Sequence, residues 1–286
     1  MQTSSGGDFS GLGIVPAILN VLQKHRFQEP TPIQAQSIPV AIDGKDLVGI
    51  AQTGTGKTLA FGIPMIQHAL RKKGIGLVIL PTRELAFQVR DSLNSIGSTL
   101  NIKMAVLIGG MPMGRQVSEI RRQPDIIIGT PGRIIDHLDR KTLMLSSVSM
   151  LVLDEADRML DMGFAPQLKR ILSSVPTERQ TMLFSATMPP DIVSIARAFM
   201  KLPIQIEIAP SGTIPDAVTQ EVFILSRNQK SALLGKLLND YRGSVLVFMR
   251  TKFGVKRVVH ELRNANHIAA ELHSNRSLGQ RRDALQ

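Results

Sequence analysis

Residues 51–58 read Ala-Gln-Thr-Gly-Thr-Gly-Lys-Thr, between an apolar run at Asp46–Ala51 and an amphipathic stretch at Lys57–Lys72. No other segment limits the fold as much. Glycines 54 and 56 let successive backbone N–H groups curl around an anion, and the helix that follows adds its N-terminal partial positive charge. Lys57 is spaced to reach the outer phosphates of a nucleotide, and the Thr58 hydroxyl to ligate Mg²⁺. The full pattern for such a loop opens with Gly, and Ala51 stands at that position. A strand that gives way to a helix through a phosphate-binding loop belongs to an α/β sheet, in which ligands sit at the carboxyl ends of parallel strands.

The rest of the chain follows the same pattern. Short apolar runs predict strands at Asp46–Ala51, Gly76–Leu80, Lys103–Ile108, Asp125–Gly129, Met150–Asp154, Thr181–Ser185 and Ile204–Ile208. Helical patterns lie between them, among them Lys57–Lys72, Glu84–Leu100 and Asp191–Phe199. Buried runs alternating with helices predict a parallel sheet with helices on both faces. Residues 209–217 have the composition of a linker. The pattern then restarts, with strands expected at Thr219–Leu225, Ser244–Met249 and His267–Leu272 and helices at Gln229–Asp240 and Val255–Asn264.

A phosphate loop needs an acidic partner on a neighbouring strand. The buried run Met150–Leu153 ends in Asp154-Glu155-Ala156-Asp157. Asp154 is placed to hold Mg²⁺, directly or through water, and Glu155 to orient and activate an attacking water. The bland reading, a cluster of acids capping the next helix, loses ground beside a phosphate loop.

Composition excludes some classes. The chain has no cysteine, so a disulfide framework, a zinc–thiolate site and a cysteine nucleophile are all ruled out. Net charge is +11, and residues 208–286 alone carry 12 Lys and Arg against 6 Asp and Glu. Such a balance favours a polyanionic partner, although a solvated basic surface would look the same. With one Tyr and no Trp, base stacking is not the main binding mode, which leaves backbone contacts. The N-terminus shows no basic stretch followed by an apolar run, and no apolar segment approaches the roughly 20 residues of a membrane span. The expectation is a soluble, cytoplasmic protein with no membrane contact.

Further motifs occur in order. Phe9 precedes Arg26-Phe27-Gln28-Glu29-Pro30-Thr31-Pro32-Ile33-Gln34. Then come Pro81-Thr82-Arg83-Glu84-Leu85-Ala86, Gly109-Gly110, Thr130-Pro131-Gly132-Arg133, Ser185-Ala186-Thr187 and Val245-Leu246-Val247-Phe248. With the Asp-Glu-Ala-Asp segment these resemble the DEAD-box RNA helicase family over nearly the whole chain from Phe9. The resemblance implies two RecA-like domains, with ATP and Mg²⁺ as cofactors. It divides the chain into a Q-motif region at 1–36, an ATP-binding domain at 37–208, the linker, and a partial second RecA-like domain at 218–286.

By that resemblance Phe27 packs on the adenine ring, and Thr31 and Gln34 belong to the same nucleotide site. A side-chain amide suits an adenine edge, since it offers both a donor and an acceptor. Gln52, Thr53, Gly54, Thr55, Gly56, Lys57 and Thr58 line the phosphates. Lys57, Asp154 and Glu155 are the catalytic set, and Thr58 and Asp154 face the metal. Asp157, Ser185 and Thr187 link nucleotide state to RNA handling. Pro81, Thr82, Arg83, Gly109, Gly110, Thr130, Pro131, Gly132 and Arg133 contact RNA. Three of these motifs suit phosphate chemically, through helix N-termini, arginine charge and glycines that allow close approach. Such contacts carry no sequence information, so binding is expected to be nonspecific. One departure from the family is Arg26, where glycine is usual, and the local turn is expected to differ there.

The reading is thus an ATP-dependent RNA helicase. Family members carry further motifs in the second domain, including arginines that complete the ATP site. The chain ends at Gln286 before they would appear, and Arg276, Gln280 and Arg281 are the last residues resembling an RNA contact. The expectation is a truncated core that binds ATP and hydrolyses it poorly. The alternative readings are an ATP- and RNA-binding module with little turnover, and a phosphate-loop ATPase acting on something other than nucleic acid.

Overall fold

The computed structural model describes residues 8–72, 74–208 and 218–285. The chain forms two compact units, Met1–Thr213 and Ile214–Gln286. The expected linker at 209–217 lies outside the described residues.

The first unit opens with a 3₁₀ turn at Phe9–Leu12 and helices α1 (Pro16–Lys24) and α2 (Pro32–Ile42). Then β1 (Leu47–Ile50) leads through the phosphate loop into α3 (Lys57–Leu70). Strand β2 (Ile75–Ile79), α4 (Arg83–Gly97), β3 (Met104–Leu107), α5 (Met113–Arg121), β4 (Ile126–Gly129) and α6 (Pro131–Asp139) follow. The unit closes with β5 (Val148–Leu153), α7 (Ala156–Asp161), α8 (Ala165–Ser174), β6 (Gln180–Ser185), α9 (Pro190–Phe199) and β7 (Ile204–Glu207). All seven strands expected for this part of the chain form, within two residues at either end. The sequence division at residue 36 falls inside α2, which packs against both α3 and β1.

The strands make one sheet in the order β3-β4-β2-β5-β6-β1-β7, with every pairing parallel. A parallel sheet needs both faces covered, because its strands are apolar on both sides. One face, including Val48, Ile50, Leu151, Leu153 and Leu183, packs on Ile134 of α6, Met159 of α7, Ile171 of α8 and Ile195 of α9. On the other face Phe184 meets Phe61 of α3, with ring centroids 5.5 Å apart. Both rings are fully buried. Gly49 of β1 lies beneath them, where an added Cβ would stand 2.6 Å from the Phe184 ring. The close approach of α2, α3 and the sheet therefore depends on a residue without a side chain. Among the described residues no helix is long and apolar enough to cross a membrane.

The second unit departs from expectation. It contains α10 (Lys230–Asp240), α11 (Lys252–Asn264) and α12 (Leu278–Asp283), close to the expected helices. The segments expected as strands, Thr219–Leu225, Ser244–Met249 and His267–Leu272, carry no ladder pairing in the described residues. Their apolar side chains stay in solvent: Val222 is 89%, Phe248 89% and Ile224 99% exposed. A helix satisfies its own backbone groups, whereas a strand exists only through a partner's N–H and C=O groups. Apolar sequence by itself therefore secures the helices and leaves the strands unformed.

Candidate nucleotide and nucleic-acid site

In an all-parallel sheet every loop that follows a strand emerges on the same edge. The motifs follow six consecutive strands, and sheet order divides them into two groups. The loops after β1, β5 and β6 carry Gln52–Gly56, Asp154–Glu155 and Ala186–Thr187. Those after β2, β3 and β4 carry Pro81–Thr82, Gly109–Gly110 and Thr130. One half of a single edge thus bears the phosphate loop and acids, and the other half bears the arginine and glycine loops.

The phosphate loop takes the shape that its glycines allow. Gly54 and Gly56 have φ of 88° and 95°, in the left-handed region that side chains disfavour. A Cβ on Gly56 would also stand 2.5 Å from Gln34 Nε2. That contact marks a clasp: Gln34 Nε2 donates to the Gly56 carbonyl at 3.0 Å, and Gln34 Oε1 accepts from the Thr31 N–H at 3.0 Å. Gln34 is 4% exposed, so the amide sits between the N-terminal segment and the loop. Phe27 lies past the end of α1 and is 38% exposed. Thr55 Oγ1 donates to the Gln52 carbonyl at 2.7 Å and tightens the loop.

Lys57 and the acids meet behind this loop. Lys57 is buried, donates to the Ala51 carbonyl at 2.9 Å, and lies 3.4 Å from Glu155 Oε1. Thr53 Oγ1 donates to the same carboxylate oxygen at 3.1 Å. Glu155 has φ 54°, a left-handed turn that lifts its side chain out of strand direction and toward the loop. Asp154 Oδ1 accepts from the Glu155 N–H at 3.0 Å. Burial pushes the Asp154 carboxyl up to about 6, against the pull of Lys57, with Glu155 and Asp157 raising it further. The buried Asp154 carboxylate and the Thr58 hydroxyl, one residue beyond Lys57, are hard oxygen donors of the kind Mg²⁺ takes. Among the described residues no cluster of three or more His, Cys, Asp or Glu could cage a metal alone. Two such donors alone would leave the rest of an ion's shell to other oxygen ligands.

Asp157 is the junction to β6. Its N–H donates to Ser185 Oγ at 3.2 Å, and its Oδ2 accepts from the N–H and hydroxyl of Thr187 at 3.0 and 2.8 Å. Burial raises this carboxyl, but the Thr187 hydroxyl, the Arg158 amide, Ser185 and the Thr187 amide together hold it below the usual range.

On the other half of the edge, Thr82 caps α4 by accepting from the Leu85 N–H at 3.3 Å. The Arg83 guanidinium lies over Gly109 and Gly110, where a Cβ on Gly109 would stand 2.9 Å from Nη2. Gly110 has φ 80°. Thr130 occupies the N-cap of α6 with Pro131 next, and Arg133 Nη1 donates to the Met111 carbonyl at 3.0 Å. Gly132 differs: a Cβ there would meet nothing within 4 Å.

Two buried residues that the motifs do not include support this half. Gln116 and His137 are each 0% exposed and interact with the loop after β3 or with one another. The sequence does carry a signal for Gln116. It lies on the apolar stripe of α5, three residues after Met113 and four before Ile120, where a polar side chain needs a buried partner.

Comparison with known proteins agrees with this geometry. The family model described as DEAD/DEAH box helicase matches residues 31–195. The chain is 39% identical over 281 residues to the ATP-dependent rRNA helicase RRP3 of Debaryomyces hansenii, covering 97% of this chain and 59% of that protein. It is 41% identical to the DEAD-box ATP-dependent RNA helicase CshA of Geobacillus kaustophilus, over 97% of this chain and 60% of that one. The chain therefore spans about 60% of the length of such relatives. The crystal structure of a DEAD box protein from the hyperthermophile Methanococcus jannaschii superposes with a TM-score of 0.68 at 35% identity, covering 97% of this chain and 76% of that one. Sheet, loops, motif order and relatives lead to the same assignment: the chain belongs to the DEAD/DEAH box helicase family.

Proposed function

We propose that this chain supplies the ATP- and RNA-binding core of an ATP-dependent RNA helicase, acting on RNA through sequence-nonspecific backbone contacts in the cytoplasm. The carrying observation is the division of one sheet edge into a phosphate-and-acid half and an arginine-and-glycine half. The names borne by the relatives, ATP-dependent rRNA helicase and DEAD-box ATP-dependent RNA helicase, fit that division.

In this reading the amides of residues 53–58 and the Lys57 ammonium hold the β- and γ-phosphates. Thr58 and Asp154 hold Mg²⁺, which neutralises phosphate charge when bound. Glu155 orients the attacking water and takes its proton. Arriving phosphate competes with Glu155 for Lys57, so binding frees the carboxylate for that task. The Asp157–Ser185–Thr187 junction ties the acid loop to β6, and Thr82, Arg83, Gly109, Gly110 and Arg133 bind RNA phosphates.

The test is steady-state ATP hydrolysis by the 286-residue chain with and without single-stranded RNA. Turnover stimulated by RNA and abolished in Glu155→Gln supports the helicase reading. Mg·ATP binding that Lys57→Ala removes, without turnover, makes the chain a binding module. Loss of both overturns the assignment. RNA affinity should also fall steeply with salt, since phosphate contacts release counterions.

A further inference from the structure

We infer that Gln116, held by His137, is a positioning residue that sets the shape of the Gly109–Gly110 loop for RNA. This inference rests on the RNA reading above.

The side-chain amide of Gln116 is inside the protein and its bonding is complete. Its Oε1 accepts from the Ile108 N–H at 3.1 Å, and its Nε2 donates to the Ile108 carbonyl at 3.1 Å and to the Met111 carbonyl at 3.2 Å. Two carbonyls on one side of the amide can only face an NH₂ group, so the amide orientation is determined. Ile108 and Met111 flank Gly109 and Gly110. The amide therefore bridges both ends of the glycine pair and fixes the chord of that turn. A glycine pair left to itself samples many conformations, and ordering it on RNA would oppose binding.

His137 fixes Gln116 from behind. Its Nε2 lies 3.4 Å from Gln116 Oε1, and its Nδ1 lies 2.8 Å from Thr142 Oγ1. Because Oε1 can only accept, His137 carries a proton on Nε2, and burial with the nearby Arg133 lowers its pKa and favours the neutral ring. Arg133 completes the frame by donating to the same Met111 carbonyl. The frame thus joins the loops after β3 and β4 through buried polar bonds. Buried polar groups in a low-dielectric interior are costly unless satisfied, so the fully bonded Gln116 amide holds one geometry strongly.

The test uses the 286-residue chain and three variants. Gln116→Met keeps the volume and removes the amide. His137→Phe removes the donor behind it, and His137→Gln retains an NH₂ donor. Single-stranded RNA affinity is measured by fluorescence anisotropy, Mg·ADP affinity with a fluorescent nucleotide, and amide hydrogen exchange across both loops. Gln116→Met should weaken RNA by about tenfold or more, the scale of one lost hydrogen bond to an ordered group. Nucleotide affinity should stay within twofold. Exchange should accelerate at residues 108–111 and not at 53–58. His137→Phe should give a smaller RNA loss, and His137→Gln should recover most of it.

Parallel loss of RNA and nucleotide affinity in Gln116→Met and in His137→Phe would overturn the inference, since it would mean a general structural role. RNA binding undiminished by Gln116→Met would overturn it while leaving the RNA reading intact. A wild-type chain that binds no RNA at all would remove the RNA reading, and this inference with it.

Discussion

Lys57 Nζ lies 3.4 Å from Glu155 Oε1, although 98 residues separate the two in sequence. Both side chains are buried, at 5% and 11% exposure. The buried ammonium and the buried carboxylate thus occupy each other. Each compensates the other's charge in the interior.

That pairing has a measurable signature. Removing one partner of a buried ion pair leaves an uncompensated charge and costs about 3–5 kcal/mol, whereas replacing both is far milder. Glu155→Ala should therefore destabilise the chain more than the double variant Lys57→Met/Glu155→Ala. Urea denaturation in EDTA, without nucleotide, measures both. Equal losses would mean that the two side chains are independent.

Asp154 gives the protein an unusual pH dependence. Its folded-state carboxyl lies at about 6, above the ordinary 3.8, because burial disfavours the charge. The folded state therefore binds more protons than the unfolded one between those values, and this group's contribution to stability falls as pH rises from about 4 to about 6. Asp154→Asn should remove that fall and raise the melting temperature at pH 7.5 in EDTA. Mg²⁺ with nucleotide should narrow the gap by stabilising the wild type alone.

Arg26 has φ 61°, a left-handed conformation that costs a side chain about 1–2 kcal/mol. The family's usual glycine is absent, yet the turn adopts the conformation that glycine would take. Arg26→Gly should raise stability by up to about 1 kcal/mol, the strain relief being partly offset by a looser unfolded chain. Nucleotide affinity should be unchanged. A loss of stability would show that the Arg26 side chain makes a compensating contact.

Gly132 and Gly110 separate packing from recognition. A Cβ at Gly132 meets open space, and in a helix Ala is favoured over Gly by about 1 kcal/mol. Gly132→Ala should keep or raise the melting temperature and weaken RNA by removing close backbone approach. Gly110, at φ 80° beneath Arg83, should lose both stability and RNA affinity as Ala. Calorimetry paired with RNA titration separates the two patterns. Full RNA affinity in Gly132→Ala would place the RNA backbone elsewhere.

Legibility from sequence followed the range of the interactions. The strands of the first unit read clearly because runs such as Ile126-Ile127-Ile128 are apolar on both faces, which only a covered parallel strand tolerates. The phosphate loop read clearly because its glycines and lysine act within eight residues. The strands expected in the second unit carry no pairing among the described residues, because strand formation depends on partners that local sequence does not name. Pairings such as Lys57 with Glu155 and Gln116 with Ile108 depend on sheet order or loop closure. Neither has a local pattern, beyond a glutamine set in an apolar stripe. The Gln34 amide, expected at adenine, holds Thr31 to Gly56.

Sheet order places β6 between the strand of the phosphate loop and the strand of the acids. Ile50 stands in register with Ser185, and Leu153 with Leu183. Strand β6 therefore joins the ladder that leads into the phosphate loop to the ladder that leads into the acids. Two residues past its end, Thr187 is bonded to Asp157 of the acid segment. The pairing of those three strands thus carries the tie between the acid segment and β6 back to the strand of the phosphate loop.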